Sequence, residues 1–280
     1  MSATITYHGW SSLAIDSPEG KLVFDPFWRP YCGARWFGPE AFDGAGVICV
    51  THGHEEHFLD TPGVVERTGA TVVAGPAVCN FLRKRSRVPD AQLVPVEMMQ
   101  SVEARGYRIG AFPWQHRDIN LFKALTKAVF QGNATQLKWA WSSATNAPFY
   151  APYTGYHVQL GDGTRILNYN EGFNTKMADA EIAELARRFP ADVLLAGMQL
   201  DFVADVARGA RAISPRLVVL YPPHEKFHEM MGVSSRPWEE FGRAVQAAVP
   251  SATVVIARPG DVFDAATGAR LAALPTLQAA

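Results

Sequence analysis

The chain has 280 residues, 48% of them hydrophobic, with a formal net charge of -1 and a sequence pI near 6.7. This length allows one large α/β domain or two small ones, with a substantial core. The near-neutral charge argues against nucleic acid as the main partner, because phosphate binding requires a basic surface. The sequence also predicts no secretion signal and no integral membrane segment, because it lacks a basic n-region and a long apolar run.

The three cysteines, Cys32, Cys49 and Cys79, are far apart and do not have the spacing of metal ligands. They are predicted to be reduced, mostly buried thiols of a cytoplasmic protein. The basic cluster of Arg83-Lys84-Arg85 and Arg87 is interpreted as the solvated end of a helix, with anion or substrate binding as a weaker alternative. The sequence leaves open whether the chain forms a homo-oligomer.

The hydrophobic pattern predicts mostly strands at first, and strands alternating with helices afterwards. The predicted strands cover 5–7, 12–15, 21–24, 47–50, 70–74, 92–96, 102–112, 156–160, 165–169, 192–196, 217–221 and, as the last of the chain, 253–257. The predicted helices cover 62–67, 76–85, 180–189, 202–213 and 237–249. Residues 27–46, rich in aromatic residues, Gly and Pro, are predicted to form a long loop. This order favours a single 1–280 domain in which two sheets form the core and helices cover each sheet.

Residues 117–152 differ from the rest of the chain because aromatic residues stand there among small and polar ones. Part of the segment, 121–130, is predicted to be helical. We interpret the segment as a capping insertion with its own small core that also forms an apolar wall over the binding cleft. Contact with a membrane surface is a weaker alternative, because the segment has no strongly basic face.

The motif His52-Gly53-His54-Glu55-Glu56-His57 follows the apolar run Val47–Val50. The carboxyl ends of strands are where α/β sheets build ligand sites. Imidazole nitrogens and carboxylate oxygens suit zinc, iron or manganese, and a site without thiolates is more often catalytic than structural. The motif therefore predicts a catalytic metal site. His116, Glu171 and His224 each follow a later strand-like run, so they could face the same cleft.

These residues resemble the metallo-β-lactamase superfamily. The pattern His52-x-His54-x-Glu56-His57, with His116, Glu171 and His224 downstream, is similar to its metal-binding motif. The stretches Tyr7–Ser12, Phe24–Phe27, Gly155-Tyr156 and Tyr221–His224 resemble the branch of ascorbate-phosphate lactonases and N-acylphosphatidylethanolamine phospholipase D. The resemblance covers nearly the whole chain and implies an αββα four-layer sandwich with two metals at one edge of the sheets.

The resemblance also implies a ligand set. In it, His52, His54 and His116 match the first metal site, Glu56, His57 and His224 match the second, and Glu171 matches the bridging carboxylate. Glu56, Glu171 and His224 are also the candidate catalytic residues. The family usually has aspartate at Glu56 and Glu171, and many members of the branch have histidine at Trp10. A glutamate is one methylene longer, so both metals can bind only if the backbone retreats or the carboxylate binds differently.

Several other polar residues are weaker candidates. Asp25 is interpreted either as the start of a turn before Pro26 or as a residue that orients a ligand histidine. The remaining site candidates are His157, Gln199 and Asp201, although the hairpin position of His157 favours a surface residue. Candidates for a general acid are Tyr153, Tyr156 and Lys123. His8 and His228 are interpreted as structural or exposed.

The expected function is a metal-dependent hydrolase that uses a hydroxide at a dinuclear site to cleave an ester, lactone or phosphodiester bond. The expected cofactors are two divalent metal ions, zinc first, with manganese or iron as alternatives. The expected substrate is a small molecule with an apolar part, because ligand sites are mostly lined by apolar groups. Two alternatives remain open: a di-iron, oxygen-dependent redox enzyme, which the two glutamates favour, and a member that binds metal without turnover.

Overall fold

The computed structural model describes residues 2–117, 137, 141–142 and 145–277. Its strands, in chain order, are β1 (Thr4–Gly9), β2 (Ser12–Ser17), β3 (Gly20–Phe24), β4 (Ala45–Val50), β5 (Thr71–Ala74), β6 (Leu93–Pro95), β7 (Ser101–Ala104), β8 (Tyr107–Pro113), β9 (Thr154–Gln159), β10 (Arg165–Asn170), β11 (Val193–Gly197), β12 (Leu217–Tyr221), β13 (Thr253–Ile256), β14 (Asp261–Asp264) and β15 (Arg270–Ala273). Its helices are α1 (Glu55–Phe58), α2 (Thr61–Thr68), α3 (Pro76–Lys84), α4 (Asp179–Arg188), α5 (Val203–Ile213), α6 (Glu225–Met231) and α7 (Trp238–Ala248).

Two mixed sheets are built from these strands. The first has the order β15-β14-β1-β2-β3-β4-β5-β6, and the second has the order β13-β12-β11-β10-β9-β8-β7. Each sheet has an antiparallel half and a parallel half, and the parallel halves are β3 to β6 and β10 to β13. The parallel strands β11 and β12 are apolar and buried along their whole length, as expected of strands covered on both faces.

Three buried clusters fill the spaces between the layers. The central cluster combines residues of both sheets, such as Ile5 and Phe24 of the first with Tyr156 and Val219 of the second. A second cluster joins the second sheet to α4, α5 and α7, and a third joins the first sheet to α2 and α3. The layer order is therefore αββα, which confirms the predicted two-sheet sandwich.

The structure corrects two predictions about elements and adds one helix. The run 102–112 is two antiparallel strands, β7 and β8, because Arg105 and Gly106 turn the chain with φ of 51° and 88°. The strand β13 is not the last, since β14 and β15 return to the first sheet beside β1. Helix α6, after His224, was not predicted. The predicted helix 121–130 lies outside the described residues, and the single domain with a 117–152 insertion stays a prediction.

No helix within the described ranges is both long enough and apolar enough to cross a membrane.

Candidate metal centre

The predicted ligands gather at one edge of the sandwich, where several strands of both sheets end. His52, His54, Glu56 and His57 follow β4 of the first sheet, while His116, Glu171 and His224 follow β8, β10 and β12 of the second. Hydrogen bonds join the sheets at this edge. Among them, the Thr154 amide donates to the Thr51 carbonyl (2.8 Å), and the Tyr156 hydroxyl donates to the Val50 carbonyl (2.6 Å). The carboxyl ends of these strands therefore form one site.

The chain between β4 and α1 turns tightly so that three histidines face the centre. Gly53 is required there, because a Cβ at this position would overlap with the carbonyl oxygen of Pro148. His54 precedes α1 with an extended backbone, and its carbonyl accepts a hydrogen bond from the His57 amide (3.2 Å). The short helix then places Glu56 and His57 on the buried side.

The first group of candidate ligands is His52, His54 and His116. Nε2 of His52 lies 2.9 Å from Nδ1 of His54, and the ring centroids of His54 and His116 are 4.9 Å apart. Each of the three offers a ligand atom within 4.8 Å of the others, a spacing that could hold one metal ion. All three side chains are buried.

Hydrogen bonds fix the orientation of two of these rings. The hydroxyl of Thr51 lies 2.5 Å from Asp25 Oδ2 and donates its proton there, so it accepts from Nδ1 of His52 (3.0 Å). Nδ1 of His116 donates to the carbonyl of Arg117 (2.8 Å). In both rings the proton is therefore on Nδ1, which leaves the lone pair of Nε2 for a metal.

The second group is Glu56, His57 and His224. Oε1 of Glu56 lies 4.0 Å from Nε2 of His57 and 3.7 Å from Nδ1 of His224. These three residues also have ligand atoms close enough to hold one ion.

Glu171 lies between the two groups. Its Oε1 is 3.0 Å from Nε2 of His57 and 2.7 Å from Nε2 of His224, while its Oε2 is 3.4 Å from Nε2 of His116. One carboxylate oxygen thus faces the second group and the other faces the first. This is the arrangement expected of a carboxylate that bridges two ions.

The backbone is irregular immediately before Glu171. Asn170, the last residue of β10, has φ of 51°, and the pairing of β10 with β11 shifts register between Asn168 and Asn170. The backbone therefore leaves the regular strand immediately before Glu171, and from there the carboxylate reaches both ligand groups.

Burial and neighbouring charges set the protonation of the centre. Burial, together with neighbouring imidazoles, holds the pKa of His52 and His54 well below the usual value, so both rings are neutral. Burial opposes protonation of His57, but the carboxylates of Asp25 and Glu171 raise its pKa to about 10. Burial would raise the pKa of Glu171, but His224, His116 and His57 hold it well below the usual range.

Several buried polar atoms of the centre make no well-aligned hydrogen bond with any described residue. These atoms are Nε2 of His54 and His57, Nδ1 of His224, Oε2 of Glu56 and both oxygens of Glu171. Buried polar atoms without partners are costly. The cluster therefore offers nitrogen and oxygen lone pairs to a bound group that is not part of the protein. The residues therefore fit divalent cations, with the nitrogen and oxygen donors typical of zinc, iron or manganese. None of the ligand groups found in the described part of the chain contains a cysteine.

Asp25 contacts the centre from behind, as one of its two interpretations predicted. It accepts hydrogen bonds from the Thr51 amide (2.7 Å), from Nδ1 of His57 (2.7 Å) and from Asn170 Nδ2 (3.1 Å). Thr51 and Asn170 were not identified from the sequence. Both are polar residues at the carboxyl end of a strand, and this position is the only feature of the sequence that indicates a role at the site.

The weaker candidates have different environments. The ring of Tyr153 lies 5.0 Å from that of His52 and 4.9 Å from that of His116, so it borders the centre. The Gln199 amide donates to the Glu171 carbonyl (3.2 Å), whereas Asp201 is exposed.

Most of the other candidates lie away from the centre. Tyr156 is in the central core, and His157 is buried rather than on the surface, with Nε2 3.0 Å from the Pro190 carbonyl. His8 is buried in the fold, and His228 is also buried, although its ring lies 6.1 Å from that of His224 and so borders the centre. Trp10 packs against Phe27 and Tyr31. Lys123 lies outside the described residues.

The four-layer sandwich, with a histidine and carboxylate cluster at the strand ends, is the metallo-β-lactamase fold, and the predicted fold is confirmed. The metallo-β-lactamase fold protein YhfI from Bacillus subtilis has this fold, with a TM-score of 0.57 at 10% identity over 93% of this chain and 98% of that one. Igni18, a metallo hydrolase from Ignicoccus hospitalis, superposes with a TM-score of 0.67 at 17% identity, covering 94% of this chain and 98% of that one. CmlA, a diiron β-hydroxylase from Streptomyces venezuelae, gives 0.58 at 15% identity, covering 90% of this chain and 52% of that one.

The chain is similar over nearly its whole length to two archaeal proteins described as UPF0173 metal-dependent hydrolases. The protein of Pyrococcus furiosus is 28% identical over 267 residues, which are 93% of this chain and 98% of the relative. The protein of Pyrococcus horikoshii is 29% identical over 264 residues, which are 92% and 97%. No protein-family model matches the sequence. The branch of ascorbate-phosphate lactonases and N-acylphosphatidylethanolamine phospholipase D stays a prediction.

Proposed function

We propose that the protein is a metal-dependent hydrolase with a dinuclear centre. His52, His54 and His116 would hold one ion, Glu56, His57 and His224 the other, and Glu171 would bind both. The observation that carries the proposal is the position of Glu171, whose two oxygens face different ligand groups. The relatives described as metal-dependent hydrolases support it.

Two divalent ions held there would lower the pKa of a water molecule toward neutrality and polarise a carbonyl or phosphoryl oxygen. The protein's own groups prepare the ligands for this task. Asp25 and Thr51 hold the rings of His57 and His52 in fixed orientations. Glu171 stays ionised because the surrounding imidazoles lower its pKa. The ligands are therefore preorganised, so little rearrangement is needed when ions bind.

The substrate would be a small molecule with an apolar part, containing an ester, lactone or phosphodiester bond. Aromatic rings around the first group support this. The ring of Phe149 lies 4.8 Å from that of His54, and the rings of Tyr153 and Trp114 lie 5.0 and 5.5 Å from that of His52. They provide an apolar wall against which such a substrate would pack and which would exclude water.

Zinc is the metal we expect first, because three imidazoles with an oxygen ligand form a common catalytic zinc site. Glu56 and Glu171 are the observation that favours a second candidate function. Two carboxylates with five imidazoles also suit iron, and a di-iron enzyme that activates oxygen would use the same residues. The likeness to CmlA extends to the fold alone.

The deciding experiment measures metal content and hydrolysis on the same preparation. Purified protein is analysed for zinc, manganese and iron, and is assayed with a p-nitrophenyl ester, a γ-lactone and bis(p-nitrophenyl) phosphate. We expect about two zinc or manganese ions per chain and hydrolysis of at least one substrate class, with both lost after chelation. Bound iron with an oxygen-sensitive absorption spectrum and no hydrolysis would favour the di-iron enzyme. Metal without either activity would contradict both.

His54→Ala tests the assignment of the first group. We expect this variant to lose at least one metal per chain and its hydrolytic activity. His157→Ala is the matched control, because His157 is buried but lies away from the centre. Full metal content and full activity in His54→Ala would contradict the assignment.

A further inference from the structure

Arg117 connects the two halves of the metal centre. It follows His116 directly, and its carbonyl accepts the hydrogen bond from Nδ1 of that residue (2.8 Å). Its Nη1 lies 3.0 Å from Nε2 of His228, on helix α6, which begins immediately after His224. Arg117 is thus attached to the first ligand group by its backbone and to the neighbourhood of the second by its side chain.

The contacts of His228 identify its role toward Arg117. A guanidinium only donates hydrogen bonds, so Nε2 of His228 is the acceptor and its proton is on Nδ1. Nδ1 in turn donates to the hydroxyl of Ser235 (2.8 Å). His228 is therefore a neutral ring that orients the guanidinium without neutralising its charge.

The charge of Arg117 has no close partner of opposite sign among the described residues. Its Nε is buried and makes no hydrogen bond with a described residue, and no ion pair joins it to a described carboxylate. Glu171 and Glu56 are near enough to attract it, but in the proposed function both bind metal. Two divalent ions carry more positive charge than these two carboxylates carry negative charge, so Arg117 adds to an existing excess. A buried cation in such a place is unfavourable unless an anion joins it.

We infer that Arg117 binds an oxyanion group of the substrate, a carboxylate or a phosphate, and that His228 and Ser235 position it for this contact. The inference deepens the proposed hydrolase function and rests on it: the substrate class becomes esters or phosphodiesters with a negative charge near the bond that is cleaved. Arginine suits this role because its planar group offers parallel N–H donors to two oxygens and stays charged at any working pH.

The first test measures the binding of inorganic phosphate to the metal-loaded protein by titration calorimetry. We expect Arg117→Gln to raise the phosphate Kd by about tenfold or more, because a charge-assisted hydrogen bond is lost. Arg67→Gln is the matched control. Arg67 is an exposed arginine on helix α2, and it forms an ion pair with Asp43. Elemental analysis and circular dichroism of each variant establish that metal content and fold are retained. An equal phosphate Kd in wild type and Arg117→Gln would overturn the inference.

If Arg117→Gln does not fold, Arg117→Lys replaces it in the same titration. Lysine keeps the charge but cannot offer two parallel donors from one plane, so phosphate binding should still weaken severalfold. Wild-type affinity in this variant would count against the inference.

His228 is tested as a positioning residue by a pair of substitutions. His228→Gln keeps an acceptor near the position of Nε2 and should keep the phosphate Kd within about threefold of wild type. His228→Leu removes the acceptor and should weaken phosphate binding about as much as Arg117→Gln. Equal effects of the two substitutions would show that His228 acts only through packing, which would overturn its positioning role.

A second readout distinguishes failure of the inference from failure of the proposed function. Hydrolysis is compared for neutral p-nitrophenyl acetate, the carboxylate ester mono-p-nitrophenyl succinate and the phosphodiester methyl p-nitrophenyl phosphate. The ratio of kcat/KM for the preferred anionic substrate to that for the neutral ester should fall about tenfold in Arg117→Gln. If the enzyme is active and this kcat/KM ratio is unchanged, the inference about Arg117 is overturned but the proposed hydrolase function is not. If no substrate is hydrolysed, the hydrolase proposal fails, and the phosphate titration still decides whether Arg117 binds an oxyanion.

Discussion

Oδ2 of Asp25 lies 2.7 Å from Nδ1 of His57, and neither side chain is accessible to solvent. The imidazole donates this hydrogen bond, so its other nitrogen, Nε2, points toward Glu171 at 3.0 Å. The Asp25 amide is itself held by the carbonyl of Cys49 (3.0 Å) on the neighbouring strand β4. A carboxylate behind a ligand imidazole fixes the ring and increases its basicity, which strengthens metal binding.

Asp25→Asn should weaken metal binding without removing a ligand. The Asn side chain has only one oxygen, so it cannot accept all the hydrogen bonds that the carboxylate accepts from Thr51 and His57. The ring of His57 therefore loses its fixed orientation. We expect the affinity of the second ligand group to fall about 10- to 100-fold. Competition with a chromophoric chelator measures this. Asp16→Asn, at the half-exposed end of β2, is the control, and equal affinity in the two variants would contradict the prediction.

Gly53→Ala should disturb the loop between His52 and His54. An added Cβ would overlap with the backbone of Pro148, so either this loop or the segment around Pro148 must move. We expect a loss of metal from the first ligand group and a fall in the free energy of unfolding of about 1–3 kcal/mol. Elemental analysis and urea unfolding measure the two effects.

Gly46→Ala, in β4, is the control for this change. Its nearest neighbour would be the Lys21 carbonyl oxygen at 3.8 Å, an ordinary contact distance. Wild-type metal content in Gly53→Ala, or an equal loss in both variants, would show that the close approach to Pro148 does not shape the site.

The sequence predicted the position of the centre because its ligands follow runs with a clear local pattern. The run Val47–Val50 marks the end of β4, and Leu217–Tyr221 marks the end of β12 before His224. Polar residues at the carboxyl ends of strands meet at one edge of an α/β fold, so local signals were sufficient.

The sequence could not predict features that depend on contacts between distant segments. The contact of Arg117 with His228 joins residues 111 positions apart. The strand β15 is fully exposed, so burial left no pattern in its sequence, and it forms only by pairing with β14. The φ of 51° at Asn170 is one that asparagine adopts more readily than most residues, but the residue type alone does not show which asparagines adopt it.

Glu171→Asp should lower metal occupancy and activity. The carboxylate of Glu171 reaches both ligand groups, with one oxygen toward each, so a side chain shorter by one methylene would lose contact with at least one group. We expect about one metal per chain instead of two, and a fall in kcat of about 100-fold or more, since an ion that polarises the substrate is lost.

Elemental analysis and steady-state kinetics with the best substrate measure these effects, and Glu184→Asp on the exposed face of α4 is the control. If Glu171→Asp kept two metals and full activity, the longer side chain would be tolerated rather than required.

His8→Phe should make the protein less sensitive to acid. His8 is buried in β1 between the rings of Phe37 and Phe42, each with its centroid 5.2 Å away, and burial together with Lys21 lowers its pKa to about 3. In the unfolded chain, the pKa of histidine is about 6.5. Between these two values the unfolded state binds a proton that the folded state does not, so stability falls as the pH falls from about 6.5 toward 3.

The variant lacks this proton uptake. Between pH 6 and pH 4, the slope of its unfolding free energy against pH should therefore be smaller than that of wild type by roughly 1.4 kcal/mol per pH unit. Urea unfolding at several pH values measures the slope. Phe42→Leu, which loosens the same aromatic cluster without removing a titratable group, should lower stability equally at every pH. Parallel pH profiles for wild type and His8→Phe would mean that His8 already binds a proton in the folded state. Its aromatic surroundings argue against this, as does its Nδ1, which has no hydrogen-bond partner among the described residues.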